Sequence, residues 1–171
     1  MNAYSKTEFP YFSRLVAATE SEALVATLRK FGWSRVSIIG SDTQFASDQI
    51  HAFSRLWIGE HNDESGTWTG EITYQHSVTI DTSGGEMDRR VIGDSVHQAL
   101  SGVPTHDPTI NSRVILLIAH DNHAFEILRI ASESRFQPDS IWVGLPSWCG
   151  RLPQDDSFIP PHPGYIGKTV L

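Results

Sequence analysis

The chain of 171 residues contains a single cysteine, Cys149, which excludes an internal disulfide. Basic charge is scarce. Thirteen Lys and Arg stand against twenty Asp and Glu, a formal net charge of −7, and no run of five basic residues occurs. A nucleic acid partner is excluded on that ground, because binding phosphates needs clustered Lys and Arg. No apolar stretch approaches the ~20 residues that cross a bilayer. The opening "MNAYSKTEFPYF" has no basic region followed by an apolar run, so no signal peptide is expected there. No Asn-x-Ser/Thr glycosylation acceptor occurs. G-x-G-x-x-G, the P-loop, G-x-S-x-G, H-E-x-x-H and C-x-x-C are all missing. No cofactor and no metal centre are therefore expected.

What is present suits one globular domain with a real core, at 39% hydrophobic and 19% charged residues. "YFSRLV" (11–16) reads as a strand. Thr19 and Glu22 then form a capping box that opens a helix over 19–33, with Leu24, Leu28 and Phe31 at helical spacing and Gly32 as its stop. "RVSIIG" (35–40) is a β-branched buried strand. The segment after "SDTQF" has Ile50, Phe53, Leu56 and Trp57 on one helical face. "GEITYQHSVTI" (70–80) reads as a strand and "MDRRVIGDSVHQAL" (87–100) as a helix. "RVILLIA" (113–119) is the plainest buried strand, followed by a helix over 124–136 and a strand at 140–145. A proline-rich connection precedes a last strand, "YIGKTVL" (165–171). Strand and helix alternate, which predicts a doubly wound, mostly parallel α/β sheet with helices on both faces.

Ligands of such sheets sit at the carboxyl ends of strands. Three loops qualify. Ser41 and Asp42 follow one strand and could hydrogen-bond a ligand, while Asp42 or Thr43 could equally cap the next helix. "HDNH" (120–123) follows another strand. His120 and His123 have chelating spacing but no obvious third ligand, and capping by Asp121 or Asn122 competes with that reading. "WVGLPSWCG" (142–150) places Trp148 where an apolar ligand wall would stand. Cys149 with His120 could form a nucleophile and base, though a lone Cys is more often a small buried hydrophobe.

The ordered set of segments resembles the receptor family ligand-binding region, the periplasmic-binding-protein type I module of metabotropic glutamate, GABA-B and natriuretic peptide receptors. "FPYFSRLVAATESEALVATLRKFGWSRVSIIGSDTQFASDQIHAF", then "RVILLIA", "AFEILRIA", "SIWVGLPSWCG" and "GYIGKTVL", carry the resemblance, over about residues 9 to 171. It implies one lobe of a two-lobe module, the second, preceded by a tail at 1–8 and lacking its first lobe. Non-enzymatic function is implied as well: an extracellular, sensory portion of a membrane receptor that takes a small molecule between lobes and can form a homodimer. A free-standing small-molecule-binding protein is the alternative, and an enzyme using Cys149, His120 and Asp121 a more distant one.

The resemblance also marks departures. Where amino-acid-sensing members place an acid after the first strand, Thr19 stands here; their loop tyrosine is Phe45; the acid of their Gly-Ser-Asp-Gly-Trp-like turn is Pro146, next to Ser147 and Trp148. A desolvated ammonium needs an anion or acceptors. The implied site therefore comprises Thr19, Ser41, Asp42, Phe45, His120, Asp121, Pro146, Ser147 and Trp148, without the usual grip on an α-amino acid.

Overall fold

The computed structural model describes residues 12–59, 70–80, 88–104, 113–134 and 140–145, with side chains from Glu20 onward. Four helices and four strands alternate: α1 (Phe12–Lys30), β1 (Arg35–Ser41), α2 (Gln44–Ile58), β2 (Glu71–Val78), α3 (Arg89–Gly102), β3 (Val114–Ile118), α4 (Asp121–Glu133) and β4 (Ile141–Gly144). The strands form one sheet in the order β2-β1-β3-β4, and every pairing is parallel. The α/β class expected from the alternation is the one observed.

The two central strands explain the layering. β3 is buried at every position, and β1 at every position after Arg35. Strands buried on both faces need helices on both faces. Ile38, Leu116 and Val143 pack with Leu24, Leu28, Phe53 and Trp57 from α1 and α2. Ile39, Ile115 and Leu117 pack with Ile92, Val96, Ile127 and Ile130 from α3 and α4. Successive residues of one strand thus feed two separate cores.

One expected strand is absent. Residues 12–16 belong to α1, which runs unbroken to Lys30. A six-residue, largely apolar segment such as "YFSRLV", with only Ser13 and Arg14 polar, does not distinguish a strand from a helical segment. No Gly or Pro interrupts 12–30, and the stretch is rich in the strong helix formers Ala, Leu and Glu. Thr19 and Glu22 fall inside this helix, so they do not cap its start. Its far end is as expected. Gly32 takes φ +71°, its N–H donates to the Arg29 carbonyl at 3.0 Å, and the Trp33 N–H donates to Leu28 at 3.0 Å. That is a Schellman ending, which needs a residue in the left-handed region. Phe31 does not join the apolar face. It is 57% exposed and stacks on Trp33. The expected last strand, 165–171, lies outside the described residues.

Candidate functional site

The strand order creates a switch point. From β1 the chain passes to β2 on one side of it, and β3 then lies on the other. Connections leaving adjacent strands in opposite directions open a crevice beyond their carboxyl ends. β1 and β3 run in register to Gly40 and Ile118, so Ser41–Asp42 and Ala119–His120 emerge side by side. Gly40 permits this tight corner. A Cβ there would lie 2.6 Å from Ile50 Cδ1 and 3.2 Å from the Ile118 carbonyl.

The β1 turn is fixed by its own polar groups. Ser41 is buried, and its hydroxyl lies 2.9 Å from that of Thr43. Thr43 is the N-cap of α2, its Oγ1 accepting the Ala46 N–H at 3.3 Å. Asp42 does not cap. Its N–H donates to the Val78 carbonyl and its Oδ1 accepts the Ile80 N–H, each at 3.0 Å. One carboxylate oxygen thus ties the end of β1 to the end of β2.

Across the crevice, His120 is the N-cap of α4 but makes no side-chain capping bond. The expected cap by Asp121 or Asn122 does not form. Both residues already lie in the helix, and the Asp121 Oδ1 accepts the Asn122 N–H at 3.0 Å. The His120 ring instead stacks on Phe45, centroids 4.2 Å apart and planes 20° from parallel. Such a pair gains from offset π contact beyond the area it buries. His123 stands edge-on to His120, with centroids at 6.1 Å. Its Nδ1 is buried and has no hydrogen-bond partner among the described residues. Burial holds the His123 pKa below its ordinary value; the His120 charge adds to the depression, while Asp42 and Asp121 oppose it. A neutral imidazole results, able to give or take one hydrogen bond.

The arrangement offers a flat aromatic wall, a neutral imidazole and a carboxylate, and no cation among these groups. Five anticipated residues gather here: Ser41, Asp42, Phe45, His120 and Asp121. The Thr19 backbone lies within α1, and its side chain lies outside the described set. Pro146, Ser147 and Trp148 lie outside the described residues, as does Cys149. His123 was legible only as a metal ligand. Among the described residues no group of three or more His, Cys, Asp or Glu is placed to hold a metal.

Beside the switch point, a groove of about 550 Å³ runs between α2 and β2. Ser47, His51 and Ser54 form one wall, and Gln75 and Ser77 the other. Sequence reading did not single these residues out. The available signal was the spacing of Thr43, Ser47, His51 and Ser54, a polar stripe down one side of a helix.

Comparison with known proteins gives this geometry a family. The model of the receptor family ligand binding region matches residues 2–167. Metabotropic glutamate receptor 6 of Oryctolagus cuniculus is 23% identical over 146 residues, covering 83% of this chain and 14% of the receptor. Its Rattus norvegicus counterpart is 22% identical over 150 residues, covering 85% and 15%. Metabotropic glutamate receptor 8 of Homo sapiens is 21% identical over 148 residues, covering 85% and 14%. The chain therefore spans only 14–15% of the length of these relatives. With a family match along almost all of its length, and an all-parallel sheet covered by helices on both faces like one lobe of a periplasmic-binding-protein type I module, the chain belongs to the receptor family ligand-binding region.

Proposed function

We propose that this chain is the second lobe of a sensory module that takes a small molecule at the carboxyl ends of β1 and β3. The observation that carries the reading is the stacking of Phe45, on α2, against His120, at the end of β3, across the switch point. Asp42 and His123 stand beside that wall and supply polar contacts of opposite preference. A carboxylate accepts hydrogen bonds only, whereas a neutral imidazole can also donate one. In the whole receptor a first lobe would close on this surface, and closure would bias a dimer between two states. The module itself is a binder rather than a catalyst, and its place is the outer face of a membrane.

Its ligand is not an α-amino acid held in the usual family mode. The resemblance assigns the amino-acid grip to positions held here by Thr19, Phe45 and Pro146, none of which carries charge. A ligand ammonium held at those three positions would find no counter-charge there on desolvation. Nor do the described groups of the crevice include a cation to meet an α-carboxylate. Calorimetric titration of the chain with glutamate and with GABA tests this directly. No saturable heat is expected at micromolar concentrations. A micromolar dissociation constant for either would defeat the reading.

A further inference from the structure

We propose that the groove between α2 and β2 is a second binding site, adjoining the switch point at Ser41 and Asp42 and extending away from it along α2, for a neutral polyhydroxylated ligand such as a sugar or a cyclitol. The groove begins at the β1 turn and runs along α2 for three turns, from Thr43 to Ser54. β2 stands at the end of the sheet order, so Gln75 and Ser77 face the groove from an outer strand. At about 550 Å³ the space lies within the ~300–1,000 Å³ typical of small-molecule sites.

The lining selects the chemistry. Hydroxyls of Ser47, Ser54 and Ser77 and the amide of Gln75 both donate and accept hydrogen bonds. None of these four side chains makes a hydrogen bond with another described residue. Alcohol groups of a ligand have the same dual character, so the two sets can pair in many registers. Competing ligand classes fit less well. No Lys or Arg lines the groove, so a phosphate or carboxylate would meet no fixed positive charge. Ile50 is the one aliphatic side chain in the lining, and no Phe, Tyr or Trp contributes, so an apolar ligand would desolvate hydroxyls for little return. The one carboxylate, Asp42, already holds the Ile80 N–H with one oxygen, which leaves its other oxygen to accept a ligand hydroxyl.

Phe45 and His120 do not line this space, so the groove and the switch point can be told apart. The test is saturation-transfer NMR on the full chain, with glucose, myo-inositol and trehalose added singly and benzoate and acetate as controls. At least one of the three polyols should receive saturation, and the controls none. Ser47→Trp fills the groove from an exposed helical position and should weaken that signal at least about tenfold, a loss of ~1.4 kcal/mol. Ser77→Trp does the same from the opposite wall and guards against a folding defect in either variant. Three results would overturn the proposal: no transfer to any polyol, transfer unchanged in both tryptophan variants, or benzoate or acetate binding that both variants abolish. Each leaves the switch-point reading standing, because that reading rests on Phe45 and His120.

Discussion

His123 shows how much one side chain can report. Its imidazole is held neutral chiefly by burial, against the pull of Asp42 and Asp121. In the unfolded chain the same ring protonates near its ordinary value of about 6.5. Above that pH both states are neutral and His123 contributes no pH dependence. As pH falls below it the unfolded state takes up the proton first, so stability declines until the depressed native pKa is passed. Urea denaturation at pH 7.5 and pH 5.5 should therefore show a lower midpoint at the acidic pH. His123→Leu should shrink that difference, and an unchanged difference would place the pH sensitivity elsewhere. Glu126 acts in a separate, more acidic window. Its hydrogen bonds from Arg129, at 2.7 and 3.0 Å, hold its carboxyl below the usual carboxylate range. That contribution is complete above the unfolded value near 4.5 and is lost only as pH falls through the native one.

Among the elements, α2 does most to position the site, because it starts at the β1 turn and carries Phe45. It is seated by Ala46, Ile50, Phe53 and Trp57, and the Phe53 and Trp57 rings stack at 5.5 Å. The Trp57 Nε1–H also donates to the Glu71 carbonyl at 3.2 Å, tying the end of the helix to the start of β2. Phe53 is fully buried, so Phe53→Ala should cost about 3–5 kcal/mol. Against a domain stability of roughly 5–15 kcal/mol, that is a large part of the whole. A fall in the urea midpoint with an unchanged slope is the expected result; a loss under ~1 kcal/mol would mean that α2 is not anchored by this ring.

The same scale explains what could be read in the sequence. α2 was legible because four large apolar residues recur at helical spacing between clear ends. β1 and β3 were legible because their β-branched and aliphatic runs are short and bounded. The start of α1 was not, since "YFSRLV" is short, mixes apolar residues with Ser13 and Arg14, and is bounded only on its N-terminal side. Helix continuity there depends on residues 17–30, not on the run itself. The cap of α4 was misplaced by one or two residues, because Asp121 and Asn122 are both good capping residues while His120 is a weak one. His120 holds that position through its stacking on Phe45. That contact joins residues 75 positions apart and exists only once β1 and β3 are neighbours, so no local pattern displays it. The groove along α2 leaves only a polar stripe in the sequence, and a polar stripe alone reads as a solvated face. Only the position of β2 beside it turns the stripe into a wall.

For the molecule as a whole, the parallel sheet, the switch point and the family match point the same way. On the proposed reading the chain offers one half of a cleft, so its own affinity for a ligand should be weak. Weak binding is still readable residue by residue. The most direct measurement is a ¹H–¹⁵N correlation spectrum of the full chain, recorded against a library of small neutral, aromatic and heteroaromatic molecules, with glutamate and GABA included. The account predicts saturable shifts centred on the amides of Asp42, Phe45, His120 and His123 with some library members, and none with the two amino acids. Shifts confined to surfaces away from these four residues, or centred on them with glutamate or GABA alone, would contradict it.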